Sequence, residues 1–342
     1  MERALGIGIL GPGWVAAEHI AAWEKNAHTR VVAICGRTKE KALRLREAKG
    51  LQQCEVYSDY EEMLTQEDLD IVSICTPNHL HAEEGILAAQ AGKHMLIEKP
   101  AAITLQSLHA LEDTITRAGV TAAVGFVARW SPLLQIIKSL VGSGAIGSPF
   151  YAEVDYRSGM LEWYSGFDWS RKTATGGSSF LVAGCHAIDA LRWLFGSEVQ
   201  EVTAYSTGWD SQYEFDATCV AIVKFENGAV GKSLSSIELN MPYGFNIELY
   251  GDKGTILNKK LYSLSLLKGQ TDFAEIPCVG PATSDVSHHP FEPEVDHLVD
   301  CILQGKEPMT SIHDAVKTHE ICLAADISAA ENRPVRLPLP RG

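Results

Sequence analysis

Short apolar runs alternate with amphipathic, charge-rich stretches through the first third of the chain. Runs at 7–10, 30–35, 70–75, 93–97 and 120–126 read as buried strands, and a shorter strand begins at 56–60. The intervening segments 15–25, 39–49, 82–91 and 105–118 have helical spacing. An acidic helix holding Glu61, Glu62 and Met63 follows the short strand, and Gly92 and Gly119 stop two of the others. Strand and helix in strict alternation predict a parallel sheet covered by helices.

The pattern changes after Arg129. Helical spacing at 132–141 is followed by a long strand at 149–157 and a helix at 178–195. Strands at 199–207, 217–225, 229–237 and 245–250 then follow without long helices between them, with hairpin turns at Asn227-Gly228 and Lys253-Gly254. Helices return at 293–303 and 312–330. The expected fold is α/β: a doubly wound parallel sheet over 1–126, then an α+β domain over 127–342 with a large open mixed or antiparallel sheet.

Composition narrows the classes. A chain of 342 residues suggests two domains, and 46% hydrophobic with 21% charged residues is ordinary for a globular protein. A formal charge of −14 argues against nucleic acid or an anionic membrane as partner. No apolar run is long enough to span a bilayer, and the first residues enter a strand pattern without a leader-like segment. The eight cysteines are spread singly, which signals neither a zinc site nor a disulfide framework. No metal is expected, and a reducing cytoplasm is the expected compartment.

The first strand runs into Gly11-Pro12-Gly13-Trp14-Val15-Ala16. This is G-x-G-x-x-A where a strand turns into a helix. Gly11 allows the turn, Gly13 lets backbone approach a pyrophosphate, and Ala16 lets the helix sit close to the sheet. Trp14 and Val15 complete the turn, and the helix N-terminus offers N–H groups to the phosphates. The expected ligand is NAD or NADP. A carboxylate commonly ends the second strand of an NAD site, but here the residues are Gly36-Arg37-Thr38. Nothing there repels a 2′-phosphate, and Arg37 either pairs with one or remains a solvated arginine beside NAD. The reading tilts toward NADP. Glu98-Lys99-Pro100 follows the strand at 93–97, at the edge where open α/β sheets bind ligands. A lysine there can bond a substrate oxygen and stabilise developing alkoxide charge.

Further segments fall in a definite order: Thr76-Pro77-Asn78-His79-Leu80-His81, Gly92 to Pro100, Gly125-Phe126-x-x-Arg129-Trp130-x-Pro132, Gly176-Gly177, Gly184-Cys185-His186-Ala187-Ile188-Asp189 and Gly305-Lys306-Glu307-Pro308. Together they resemble the Gfo/Idh/MocA family, named for glucose–fructose oxidoreductase and inositol dehydrogenase, across nearly the whole chain. The resemblance implies a sugar or cyclitol oxidoreductase with a tightly held nicotinamide cofactor. It places Lys99 beside nicotinamide and reacting hydroxyl, and Thr76, Pro77, Asn78, His81, Glu98 and Arg129 on the cofactor side. It also implies a homodimer or homotetramer formed through the open sheet.

Family members often carry Asp-x-Gly-x-His on the helix that starts near Ser178. Gly184 and His186 match, but Val182 stands where the carboxylate is expected. His186 suits the role of proton acceptor; the bland alternative is a structural helix histidine. Asp189 reads as an anchor between helix and loop. Tyr156, Trp163, Trp169, Arg171 and Lys172, with Arg129, are candidates to line a sugar pocket, although interface packing uses the same residue types. The leading expectation is hydride transfer between a sugar or cyclitol hydroxyl or carbonyl and NAD(P). The Val182 departure motivates an alternative, in which bound cofactor supports transient oxidation for glycoside cleavage or transhydrogenation. A non-catalytic dinucleotide-binding redox sensor is the third.

Overall fold

A computed structural model describes residues 3–160, 164–279 and 289–341. The chain divides into two compact units. The first contains β1 (Leu5–Leu10), α1 (Ala16–Lys25), β2 (Thr29–Cys35), α2 (Lys39–Ala48), β3 (Glu55–Tyr57), α3 (Tyr60–Leu64), β4 (Ile71–Ile74), α4 (His81–Gln90), β5 (His94–Ile97), α5 (Leu105–Ala118) and β6 (Ala122–Val124). All strand pairs in it are parallel, in the order β3-β2-β1-β4-β5-β6. This is the doubly wound Rossmann order, with its switch point between β1 and β4. The central strands are buried on both faces: Ile7, Ile9, Ile71, Ile74, Leu96 and Ile97 have no exposed surface. Local chemistry sets the helix ends. Asp59 caps α3 by accepting the Glu62 N–H at 3.2 Å, Thr104 caps α5 through Ser107, and Gly119 ends α5 with φ 66°.

The second unit contains α6 (Pro132–Gly142), β7 (Pro149–Arg157), two one-turn helices α7 (Phe167–Ser170) and α8 (Thr173–Gly176), then α9 (Cys185–Phe195) and a sheet. Its further strands are β8 (Val199–Thr207), β9 (Thr218–Phe225), β10 (Val230–Ser236), β11 (Gly244–Gly251), β12 (Gly254–Leu257), β13 (Lys260–Ser263) and β14 (Ala274–Glu275). The sheet order is β14-β13-β12-β11-β7-β10-β9-β8, closed by a late strand. β7 and β10 are parallel and the remaining neighbours antiparallel, so the sheet is mixed. One face is buried, with α9 packed on β7 and β10. The other carries a Tyr151–Tyr250 stack, Lys232 paired to Glu153 at 2.7 Å, and exposed Ile222 and Val230.

The C-terminal segments distribute between the units. α10 (Phe291–Gln304) belongs to the first, where it packs on α1. Sequence reasoning gave all of 127–342 to the second domain; residues 290–316 and Arg341 fall with the first unit instead. The apolar stripe Phe291, Val295 and Leu298 on α10 finds its cover on α1, and Lys25 pairs with Glu292 at 2.7 Å. α11 (Ile312–Glu331) runs across the boundary, and β15 (Val335–Arg336) pairs with β8 as the ninth strand of the second sheet. No helix among the described residues is long and apolar enough to cross a membrane.

The segment expected as one helix over 178–195 is broken. Residues Phe180–Gly184 form a wide π-turn, and the α-helix begins at Cys185. The turn is gripped by β10. Ser179 Oγ lies 2.7 Å from Ser235 Oγ, Ser235 donates to the Ser179 carbonyl at 2.9 Å, and a Cβ on Gly184 would fall 2.4 Å from Ser235. Gly184→Ala must push the turn off the strand. It should destabilise the protein by about 1–3 kcal/mol, read by urea unfolding. An unchanged midpoint would show that the close approach is not required.

Candidate active site

The glycine turn leaves β1 at the switch point. Gly11 has φ 90°, and a Cβ there would meet Thr76 and Cys75 at 2.8–2.9 Å, so the chain's own geometry requires glycine. Gly13 differs. A Cβ there would meet only the Cys75 carbonyl, at 3.7 Å, so the fold itself leaves room for a side chain. What the glycine supplies is bare, exposed backbone one turn before α1. Val15 is the α1 N-cap and makes no side-chain capping bond. Trp14 is partly exposed beside it. These are the features a pyrophosphate needs. At the end of β2, Gly36 is buried against Pro12 and Arg37 is exposed.

β4 ends at Thr76-Pro77-Asn78. Thr76 donates its hydroxyl to Glu84 in the first turn of α4. Burial pushes the Glu84 carboxyl up to about 7, against the pull of that hydroxyl. Asn78 is buried at the start of a single 3-10 turn, and His79 is exposed. His81 is buried between two carbonyls, with Nδ1 2.7 Å from Pro100 O and Nε2 2.7 Å from Thr76 O. It ties the β4 turn to the β5 turn. Burial lowers its pKa, although both carbonyls work the other way.

Lys99 stands at the carboxyl end of β5, half-buried, before a cis peptide to Pro100. Glu98 accepts the Lys99 N–H through Oε2 at 3.2 Å, and its Oε1 lies 2.9 Å from His19 Nε2. His19 was not singled out by sequence reasoning. The available signal was its place within the apolar stripe Ala16, Ile20, Trp23 of α1, where a polar residue needs a partner. Its Nδ1 lies 2.8 Å from Ser73 Oγ, which also accepts Trp23 Nε1–H at 3.2 Å.

Burial works against charge on both members of the His19–Glu98 pair. At His19 the Cys75 sulfur and the Glu98 carboxylate outweigh it, and the ring is held well above the ordinary histidine range. At Glu98 the His19 hydrogen bond and charge outweigh it, and the carboxyl is held below its usual value. The signs set a window. The Glu98 contribution is present above its unfolded value near 4.5 and is lost as pH falls through its lower folded value. The His19 contribution is complete below 6.5 and is lost as pH rises through its higher folded value. The stability of wild type relative to His19→Leu/Glu98→Leu should therefore be at its highest between 4.5 and 6.5 and fall on either side, whatever its sign. Urea titrations across pH test this; a difference independent of pH would refute the charged pair.

In the second unit His186 is buried in the first turn of α9, two residues beyond the π-turn that contains Val182. Tyr156 ends the buried face of β7 and packs edge-on to Tyr243 at 5.4 Å. Burial raises both phenols, Tyr156 well above its usual range. Tyr243, the ring that packs on Tyr156, was not singled out from the sequence, because it lies in a short loop without periodicity. Trp169 packs edge-on to Tyr164 at 6.4 Å. The Arg171 guanidinium lies over Phe167 and donates to the Gln212 carbonyl at 3.1 Å; Lys172 is exposed at the start of α8. Trp163 lies outside the described residues.

Arg129 makes an internal ion pair. Sequence reasoning placed it with the cofactor and as a pocket candidate. The structure shows it 2% exposed, with Nε 2.8 Å and Nη2 2.6 Å from the two oxygens of Asp189, and its plane 5.7 Å from the Trp193 ring. Thr318 also donates to Asp189, at 3.1 Å. The guanidinium is committed to joining the segment after β6 to α9, and Asp189 is the anchor its position suggested.

Comparisons with known proteins agree with this architecture. Residues 5–126 match the model of an oxidoreductase family with an NAD-binding Rossmann fold, and residues 134–257 match the GFO/IDH/MocA C-terminal domain. D-apiose dehydrogenase of Paraburkholderia graminis is 29% identical over 340 residues, covering 96% of this chain and 88% of that protein. The scyllo-inositol 2-dehydrogenase (NAD(+)) of Bacillus subtilis is 26% identical, covering 100% and 98%. A levoglucosan dehydrogenase solved with NADH superposes with a TM-score of 0.88 at 25% identity, covering 98% of this chain and all of that one. With its NAD-binding Rossmann unit and its mixed-sheet second unit both matched, the chain belongs to the Gfo/Idh/MocA family of oxidoreductases.

Proposed function

We propose that this chain oxidises a secondary alcohol of a sugar or cyclitol, or reduces the matching ketone, with NAD(P) as cofactor. The observation that carries the reading is Lys99, held at the carboxyl edge of a Rossmann sheet by Glu98 on one side and by the His81–Pro100 contact on the other. Gly11, Gly13, Trp14 and Val15 would hold the pyrophosphate, and Thr76, Pro77, Asn78 and Lys99 the nicotinamide half. When bound, the nicotinamide accepts or returns the hydride. Lys99 donates to the reacting oxygen and stabilises its charge as the C–H bond is cleaved. His186 takes the hydroxyl proton. Tyr156, Trp169, Arg171 and Lys172 supply ring-stacking faces and hydrogen bonds. Levoglucosan, scyllo-inositol and D-apiose, taken from the relatives' names, form the first test panel, read by dinucleotide reduction. Absence of binding to both NAD and NADP would overturn the reading.

The end of β2 sets the choice of dinucleotide. With Gly36 in place of a carboxylate and an exposed Arg37 next to it, NADP is accepted. Arg37→Ala should weaken NADP by about tenfold, the worth of one exposed charge-assisted hydrogen bond, and leave NAD within about twofold. Calorimetric titration of both dinucleotides measures this; equal losses would remove the role.

Val182, buried in the π-turn where the family often has a carboxylate, favours a second reading. A cofactor retained through the cycle would then serve transient oxidation, with glycoside cleavage or sugar–sugar exchange and no net NADH. Product analysis separates it from the first. A second copy of the chain covers the open face of the nine-stranded sheet around Ile222 and Val230; light scattering on the purified protein reads the oligomeric state.

A further inference from the structure

The pair beneath the β5 turn is unusual for its surroundings. The His19 side chain has no exposed surface, that of Glu98 only 12%, and the ring lies between Ser73, Trp23 and Phe291, whose centroid is 4.9 Å away. A buried ion pair is a poor source of stability, since apolar residues of similar volume do as well or better. Its use lies in what it fixes. Glu98 Oε1 is tied to His19 and Oε2 to the Lys99 N–H. Gly125 borders Glu98, and a Cβ there would meet Oε1 at an ordinary contact distance of 3.4 Å. His81 holds the Pro100 carbonyl on the other side. Lys99 is bracketed by two buried histidines, one acting through the residue before it and one through the residue after it.

We propose that His19 is a positioning residue: by holding Glu98 it fixes the backbone from which Lys99 reaches the substrate oxygen, and so governs the rate of the chemical step without taking part in dinucleotide binding. The proposal rests on the reading of Lys99 as the group that faces the reacting oxygen. The groups that face His19 are Cys75 at the end of β4, Glu98 after β5, Ser73 on β4, and Trp23 on its own helix.

The test compares His19→Leu, His19→Gln and Lys99→Met in the full-length protein. Turnover is measured on whichever of levoglucosan, scyllo-inositol and D-apiose the wild type oxidises, and dinucleotide Kd by calorimetry. His19→Leu removes both ring contacts and should lower kcat by about 100-fold, the cost of a small misplacement of a reacting group. His19→Gln keeps an N–H for Glu98 and should recover kcat to within about tenfold of wild type. Dinucleotide Kd should stay within about twofold in both. In the Lys99→Met background His19→Leu should cost nothing further, because both act on one step.

A second readout needs no turnover. Reductive 13C-dimethylation gives Lys99 an NMR line, identified by its loss in Lys99→Met, which should shift toward the solvated-lysine position in His19→Leu and stay near the wild-type position in His19→Gln. Should His19→Leu fail to fold, His19→Gln and Glu98→Gln carry the test, and an unchanged kcat and an unchanged line in both overturn the proposal. Equal kcat in His19→Leu and wild type also overturns it. A Lys99→Met variant that turns over normally refutes the role of Lys99 instead, and the 13C line still reports whether His19 holds the turn.

Discussion

Lys99→Met should lower kcat by about 10²–10³-fold, the loss seen when one donor to a developing oxyanion is removed. The dinucleotide should still bind within about threefold of wild type, because in the proposed reading the glycine turn and the α1 N-terminus hold the phosphates. The two effects separate because Lys99 leaves the end of β5, whereas the pyrophosphate features leave the end of β1. Lys99→Arg should not restore the rate. The guanidinium is wider and planar, and the turn that presents it is clamped by Glu98 before and His81 after. Stopped-flow measurement of the hydride step with a saturating alcohol from the panel is the decisive readout. A Lys99→Met rate within tenfold of wild type would move the role of electrophile to another group.

How far this site is legible in the sequence depends on how local its causes are. The alternation of short apolar runs with amphipathic helices is a local signal, and it finds every strand of the parallel sheet and helices such as α5 to the residue. Gly11 is legible for the same reason: its turn lies between a strand and a helix that both show their periods. β12, β13 and β14 are two to four residues long, too short to show a period, and β15 pairs with a strand more than a hundred residues earlier in the chain. The π-turn is set by Ser235, some fifty residues later, so the 3.6-residue spacing of 178–195 reads straight through it. α10 shows its apolar stripe plainly but not that α1 covers it. His19 and Arg129 follow the same rule from opposite sides. His19 looks like one polar residue on a core stripe, and only the fold brings Glu98 to it. Arg129 looks like an available cation, and only the fold closes Asp189 on it.

Asp189→Ala should be among the most destabilising single changes in the chain. It leaves the Arg129 guanidinium, 2% exposed, without the carboxylate that meets it at 2.6 and 2.8 Å, and removes the acceptor of the Thr318 hydroxyl. Breaking one side of a buried pair costs about 3–5 kcal/mol. In a protein of this size that lowers Tm by roughly 4–7 °C. Asp189→Asn keeps an acceptor oxygen and should cost less. Arg129→Met/Asp189→Leu removes both charges together and should recover most of the loss, as replacement of a buried pair by apolar groups does. These outcomes also decide between the two readings of Arg129. If its task is to join the start of the second unit to α9, Arg129→Lys lowers Tm, because an ammonium cannot make both fork contacts, and leaves dinucleotide Kd unchanged. If instead it serves the cofactor, Arg129→Lys weakens dinucleotide binding at constant Tm. The bidentate geometry and near-complete burial of the pair favour the first result, and the Kd and Tm of that one variant tell them apart.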